Sequence, residues 1–481
     1  MIVSPTLLQR PATRRLGVLV LLGALLIVLT PAMGSTAARA KGRAEACRRM
    51  SHGYCVGRLV GPLAVSGRKI LDKGQGGVPV LFQGVMFDGP GWLKGQPSYN
   101  VHGFPDTGAI NTLKAWGVNF VRLALSSDIY DQTCHEDYAG SYPAPGYRDD
   151  VTNSIKALTS AGMYVEVLLY TSNPSCKLSG GPNTSGLAPM PGQDAVTFWQ
   201  AIAKEFADNP LVGFSPWNEP EVCATGASTA EPVTSTCSQS DLDAGWAKSL
   251  TMKADITYAD VGMDRLFQVI HKAAPASLVF LDANGWAAQP ETYASLPADM
   301  ATANDLVDVL HPYDCQDRTP ADKTAKQKTT AVCVNSSPEL CGTIAPRLAT
   351  FDSDLYTHAR LAQPVVYDEV GFPEGEQVYE AARRSFGRTV EAPIKLYQHG
   401  LYLNNFIASA EARGEGFAVF TFNDSDTGST WNGPYLLTKQ PVAPGDKGPW
   451  PASVDGAVVK RAGTGAPVTC QSPPSGYDTF G

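Results

Sequence analysis

The chain has 481 residues, of which 43% are hydrophobic and 17% charged. That is length enough for about three ordinary domains or one large barrel, and the composition excludes a collagen-like, coiled-coil or wholly disordered chain. Thirty-eight basic residues face 46 acidic ones, a net charge of −8. An acidic body argues against nucleic acid or an anionic membrane surface as partner.

Residues 1–40 read as a secretory signal. Arg10, Arg14 and Arg15 form a basic start, Leu16 to Thr30 is an almost unbroken apolar run, and Ala38-Arg39-Ala40 offers a small-x-small cleavage site. At helical rise the apolar run spans about 22 Å, short of the roughly 30 Å hydrocarbon core, so a cleaved signal is expected rather than a membrane anchor. The mature protein is then expected to be secreted, with no membrane association. Ten cysteines, an even number with no CxxC, agree with an oxidising compartment and disulfides. No close Cys/His cluster suggests zinc. Cys470 is placed to tie the tail to Cys47 or Cys55, and the pairing as a whole stays open.

After an N-terminal extension (41–77), short β-branched and aromatic runs alternate with amphipathic stretches. The strand-like runs are Val80–Phe87, Asn119–Leu125, Met163–Tyr170, Val212–Trp217, Leu278–Asp282, Val307–His311, Val365–Glu369 and Phe417–Phe422. Helix-like segments fall between them at Gly108–Ala115, Asp149–Ser160, Asp194–Ala207, Asp260–Ala273, Phe351–Leu361 and Ile394–Arg413. The alternation implies a parallel sheet, and eight such runs imply a single α/β domain over 78–437, a (β/α)8 TIM barrel. An open doubly wound sheet is the alternative, but the Gly-rich fingerprint after its first strand is missing. Long connections follow the second, third, fourth and sixth runs, on the barrel face that builds active sites. Residues 438–481 form a Pro/Gly-rich tail without periodicity.

Two apolar strands end in carboxylates: Leu211-Val-Gly-Phe-Ser-Pro-Trp-Asn-Glu-Pro220 in Glu219, and Pro364-Val-Val-Tyr-Asp-Glu369 in Glu369. A carboxylate at a buried strand end is unfavourable without partners or a task. Two at one barrel mouth fit glycoside hydrolysis, in which one carboxyl protonates the leaving oxygen and the other attacks the sugar. Asp368 adjoins Glu369, but strict strand alternation turns it to the opposite face. No GxSxG elbow, HExxH pair or phosphate-binding glycine loop is present, so serine-hydrolase, zinc-protease and nucleotide chemistry find no support.

Asn218-Glu219-Pro220 on the fourth run and Glu369 on the seventh, with Arg122 on the second and His311 and Tyr313 on the sixth, resemble the signature of retaining glycosidases on (β/α)8 barrels. Within that clan the chain most resembles glycoside hydrolase family 5, the cellulase-type family, over residues 78–430. The resemblance implies Glu219 as acid/base and Glu369 as nucleophile, supported by Arg122, Asn218, His311 and Tyr313, with no cofactor and no metal. It implies a carbohydrate substrate and an endo-β-glucanase, with a β-mannanase or exo-β-glycosidase as the nearest alternatives. A monomer is expected. Two positions depart from the family pattern. Tyr170 stands where many members have a third-strand histidine, and no tryptophan ends the eighth run, where Phe420, Phe422 or Trp431 is expected to replace it. Trp286 is a further expected sugar platform. These departures motivate a reading from another class, a secreted carbohydrate-binding protein that has lost turnover, against which the intact carboxylate pair argues.

Overall fold

The structure, a computed structural model, describes residues 47, 49–92, 102–131, 144–172, 188, 190–220, 251–253, 257–287, 292–293, 296–312, 363–371, 400–422, 436–437 and 447–471. The signal-like segment, Tyr313, Trp431, the helix-like run 351–361 and the cysteines from Cys134 to Cys341 lie outside the described residues. Among the described residues no helix is long and apolar enough to cross a membrane.

The chain opens with five short strands: β1 (Met50–Ser51), β2 (Tyr54–Cys55), β3 (Leu63–Ser66), β4 (Lys69–Asp72) and β5 (Val78–Val80). They form a sheet in the order β1-β2-β5-β4-β3. Buried Asp72 organises it by accepting hydrogen bonds from the backbone N–H groups of Val60, Gly61 and Gln75 at 2.9, 3.0 and 3.1 Å. The run read as one strand from Val80 to Phe87 is therefore two, and its first part belongs to this sheet. A disulfide joins Cys47 to Cys55, while Cys470 is an exposed free thiol. The expected link from Cys470 to either of them does not form.

The barrel follows: β6 (Gln83–Phe87), β7 (Phe120–Ser126), β8 (Tyr164–Thr171) and β9 (Val212–Ser215), then, after a hairpin of β10 (Thr251–Lys253) and β11 (Thr257–Ala259), β12 (Val279–Asp282), β13 (Leu306–Val309), β14 (Val365–Val370) and β15 (Gly416–Val419). The eight barrel strands pair in parallel and close on themselves. Each of the eight expected runs supplies one of them. Helices α1 (Thr107–Trp116), α2 (Tyr147–Ser160), α3 (Gln193–Phe206), α4 (Gly262–Ala273) and α5 (Leu401–Arg413) cover the outside. Their apolar faces, with residues such as Leu113, Val151, Trp199 and Ile270, join the outward side chains Val85, Leu123, Val165 and Phe214 in one core.

The tail is more structured than its composition suggests. It carries α6 (Val454–Gly463), capped by the Ser453 hydroxyl accepting from the Gly456 N–H. The close meeting of α6 with the end of α1 requires glycine on both sides. A Cβ on Gly117 would lie 2.2 Å from the Gly463 carbonyl oxygen, and one on Gly463 2.2 Å from that of Trp116.

Inside the barrel, side chains stack in layers. The floor is aromatic, with Phe82 4.4 Å from Phe120, 5.3 Å from Tyr164 and 6.1 Å from Phe280 between ring centroids. Leu59, Leu63, Ile70 and Val80 of the N-terminal segment pack against this floor. The segment therefore plugs the bottom of the barrel and keeps water from the polar layer above.

Beside the floor, Glu411 of α5 is fully buried and accepts hydrogen bonds from Gln83 Nε2 at 2.5 Å and Ser51 Oγ at 3.4 Å. Burial pushes its carboxyl up to about 7, against the hydrogen bonds that lower it. A carboxyl raised in the fold contributes stability that is complete below its unfolded value and lost as pH rises through its folded value. Thermal unfolding of wild type and Glu411→Gln at about pH 5 and about pH 8 tests this: wild type should lose more Tm across the interval than the variant. Parallel losses would contradict it.

Candidate active site

The parallel register sets Met86, Arg122, Glu166 and Gly213 at one level across β6, β7, β8 and β9. Arg122 therefore points into the barrel one layer above the aromatic floor, and it is 0% exposed. All of its N–H groups are engaged. Nη1 donates to Glu369 Oε2 at 2.5 Å and to Met86 Sδ at 3.4 Å. Nη2 donates to Asn218 Oδ1 at 3.0 Å and to Asp282 Oδ2 at 3.3 Å. Nε lies 3.3 Å from Glu166 Oε1 and 3.2 Å from Asp368 Oδ2. Burial alone would lower the guanidinium pKa, but Asp368, Asp282, Glu166 and Glu369 hold it well above its ordinary value.

His311, just past β13, is the second cationic group and is likewise fully buried. Its Nδ1 is 2.8 Å from Glu219 Oε1, and its Nε2 is 2.9 Å from Asp368 Oδ1 and 3.6 Å from Asp282 Oδ2. Burial would lower this imidazole, yet Glu369, Asp282, Asp368 and Glu219 raise it well above the usual histidine value. With a carboxylate facing each ring nitrogen, the site favours the protonated ring. Asp282 is pushed up to about 6, because burial outweighs the neighbouring His311 and Arg122 charges.

Glu219 sits where the chain leaves β9, with its side chain 19% exposed. Its φ is +48°, in the left-handed region that costs a non-glycine residue about 1 kcal/mol or more. The conformation is held from below: the Glu219 N–H donates to Asp282 Oδ2 at 2.9 Å. The next loop is tied to the same turn, with the Gly285 N–H donating to the Pro220 carbonyl at 2.9 Å. Oxygens of Glu219 and Glu369 lie within 4.8 Å of each other.

On β14 both Asp368 and Glu369 face Arg122. Alternation assigns Asp368 to the far side, and the structure corrects this. Between the pairings Tyr367↔Phe417 and Val370↔Val419, β14 carries one residue more than β15, a bulge that turns two consecutive side chains inward. Tyr367 and Val370 flank them and face the helices.

Above this layer, Ala124, Leu168 and Phe420 form an apolar rim that Met86 joins from the level of Arg122, with Tyr170 against it. Phe422 does not line the mouth. It is 0% exposed and packs behind the barrel, 5.2 Å from Phe87 and 5.6 Å from Trp116. Of the two eighth-strand phenylalanines, Phe420 is the inward one. Trp286 lies on the short helix Asn284–Ala287 after β12, its side chain outside the described residues.

The structure thus brings Arg122, Asn218, Glu219, His311 and Glu369 together and adds Glu166, Asp282 and Asp368. Each of the three was visible as an ionisable residue inside an apolar strand, which is unfavourable unless paired. The triads Glu219–His311–Glu369 and Asp282–His311–Asp368 are compact enough to suit a cation. Both, however, rely on one imidazole whose two nitrogens already face carboxylates, and Arg122 supplies positive charge at the same place. The arrangement is suited to moving protons and holding a carboxylate nucleophile.

A model of the family described as cellulase (glycosyl hydrolase family 5) matches residues 77–340, more than half of the chain. The match includes Arg122, Asn218, Glu219 and His311 and ends before β14. No curated protein matches the chain. Among solved structures, the catalytic domain of Thermobifida fusca endoglucanase Cel5A is 16% identical, the match covering 84% of this chain and 99% of that one at a TM-score of 0.47. The alkaline cellulase K catalytic domain is 14% identical, covering 87% and 99% at 0.48. A family 5 cellulase from an Icelandic hot spring isolate is 15% identical, covering 86% and 100% at 0.49.

Removing a partner from a buried ion cluster strands the rest and costs about 3–5 kcal/mol. Arg122→Met should therefore lower stability by about that much at neutral pH in urea unfolding. The deficit should shrink in acid, where the stranded carboxyls take up protons and wild type loses the contribution of Asp368, which Arg122 and His311 hold below its ordinary value against burial. A deficit that does not change with pH would place the loss in packing instead.

Proposed function

The chain belongs to the cellulase family, glycosyl hydrolase family 5, and is a glycosidase; from that premise we propose that it cleaves β-glycosidic bonds of a glucan with retention of configuration, acting as a secreted endo-β-glucanase. The separation of the two carboxylates carries the reading. Retaining enzymes hold theirs about 5–5.5 Å apart, inverting ones about 6.5–9.5 Å. The nearest oxygens of Glu219 and Glu369 are no more than 4.8 Å apart, an approach that supports the closer, retaining arrangement.

Glu369 is the nucleophile. Arg122 Nη1 holds one of its oxygens and leaves the other to attack the anomeric carbon. Glu219 is the acid. His311 engages its Oε1, so Oε2 delivers the proton to the leaving oxygen. The C–O bond breaks, the sugar stays esterified to Glu369, and the leaving sugar departs. Glu219, now ionised beside the His311 imidazolium, takes a proton from water, whose oxygen displaces Glu369. Asn218 has its Oδ1 on Arg122, which presents the amide nitrogen as a donor for a sugar hydroxyl. Tyr313, Tyr170, Trp286 and Trp431 complete the sugar-binding residues, with Phe420 in place of Phe422. Export follows from residues 1–40, cleaved after Ala40, and the mature enzyme works as a monomer without metal or organic cofactor.

The test is turnover on β-glucans, mannans and aryl β-glycosides, with the anomeric form of the first product read by NMR. Wild type should release the β-anomer from a β-glucan. Glu369→Gln should abolish turnover. Glu219→Gln should lower it by about 10²–10⁴-fold on glucan and less on aryl glycosides, whose leaving groups need little protonation. An α-anomer as first product would overturn the mechanism. Hydrolysis of mannan alone would overturn the substrate while leaving the mechanism standing.

A further inference from the structure

The reaction uses Arg122, Glu219, His311 and Glu369 and gives no task to Glu166, a fully buried acid beside them. Glu166 lies on β8 directly beside Arg122 in the register and has no solvent exposure. Its Oε1 and the Oδ2 of Asp368 both approach Arg122 Nε, at 3.3 and 3.2 Å. That nitrogen carries one hydrogen and cannot serve two carboxylates. Among the described residues, Glu166 Oε2 and Asp368 Oδ2 find no hydrogen-bond donor. Two ionised carboxylates so placed would repel each other and leave two buried acceptors unsatisfied, each unfavourable in a dry site. A single proton between the groups removes both penalties.

We propose that Glu166 is a positioning residue whose carboxyl stays protonated and shares that proton with the Asp368 carboxylate, so that the pair fixes Arg122 and, through it, the attacking carboxylate of Glu369. The last link rests on Glu369 being the nucleophile. The charges of the site agree. Five carboxyl groups (Glu166, Glu219, Asp282, Asp368 and Glu369) surround two cations, Arg122 and His311. A further negative charge in a layer closed below by an aromatic floor would be strongly disfavoured. The groups facing Glu166 are Arg122 from β7, Tyr164 from its own strand, Asp282 from β12 and Asp368 from β14. Burial, then the Asp368 charge, raises Glu166 well above the carboxyl range despite Arg122. Asp368 is held below its range, because Arg122 and His311 outweigh its burial and Glu166 donates to it. The proton therefore resides on Glu166, and Asp368 remains the anion that binds His311 Nε2 at 2.9 Å.

Infrared spectroscopy of the unliganded enzyme decides the protonation directly and needs no turnover. At about pH 8, where an ordinary glutamate is ionised, the difference between wild type and Glu166→Gln should contain the carbonyl band of a protonated carboxylic acid. The subtraction removes other carboxyls that burial raises, among them Glu411, Asp282 and Asp308 on β13. Kinetics test the positioning. Gln is neutral and can donate to Asp368 as the protonated acid does, so Glu166→Gln should keep kcat and KM close to wild type. Glu166→Ala should lower kcat by about 100-fold with little change in KM, as a displaced reacting group does. No acid band in the difference spectrum overturns the proposal, as does a Gln variant as impaired as the Ala variant, or an Ala variant with full kcat. If the Ala variant fails to fold, the spectrum and the Gln variant decide. An active Glu369→Gln would overturn the nucleophile assignment without touching the band.

Discussion

One guanidinium, sealed in the middle of a barrel, organises this molecule. Arg122 can be buried only because carboxylates from β8, β12 and β14 and an amide from the loop after β9 converge on it. Those carboxylates can be buried only because Arg122 and His311 are there. Such a cluster adds little net stability compared with an apolar core, since desolvation offsets most of the attraction. What it provides is geometry: five N–H directions fix four strand ends relative to one another. The aromatic floor and the N-terminal sheet beneath it keep the surroundings dry, which strengthens each of these interactions.

The two carboxylates proposed to act on the sugar are held differently. Glu369 is 4% exposed and gripped by Arg122, a setting that restricts its motion. Glu219 stands higher, partly in solvent, on a backbone turn that would relax without the Asp282 carboxylate under its N–H. Asp282 therefore has two tasks, pairing with Arg122 and pinning Glu219, so the position of Glu219 is tied to the charge state around the group that anchors Glu369. His311 reinforces the tie by bridging Glu219 to Asp368.

The barrel was legible in the sequence because each strand buries both faces and reads as an apolar run between amphipathic helices. The break at Leu81–Phe82 was not, because the floor strand and the first barrel strand have the same apolar character and only their pairing partners differ. Arg122, Asn218, Glu219, His311 and Glu369 could be named from strand-end position and family pattern. Asp368 was lost to a period-2 argument that holds for a regular strand and fails at a bulge, which no local composition marks. Phe422 failed for a related reason. Past the end of β15 the chain no longer alternates regularly, so parity along the run could not tell the mouth from the helix layer. Glu166 and Asp282 were within reach, as each is an acid embedded in β-branched and aromatic residues, a placement that only a buried countercharge makes tolerable.

The departures from the family pattern all lie in the layer above the charges. Tyr170 and Phe420, with Met86, Ala124 and Leu168, surround the entrance to the polar centre. None of them touches the hydrogen bonds of Arg122 apart from the Met86 sulfur. Substitution in this rim can change which sugar face is stacked and which hydroxyls are met while the carboxylates beneath keep their positions. The converse does not hold, since a change in the charged layer alters the balance of protons and cations on which every member depends. Selection on substrate is therefore freest in the rim and the loops above it. The chemistry rests on the interlocked layer below, where a residue can be replaced only by one of matching charge and reach.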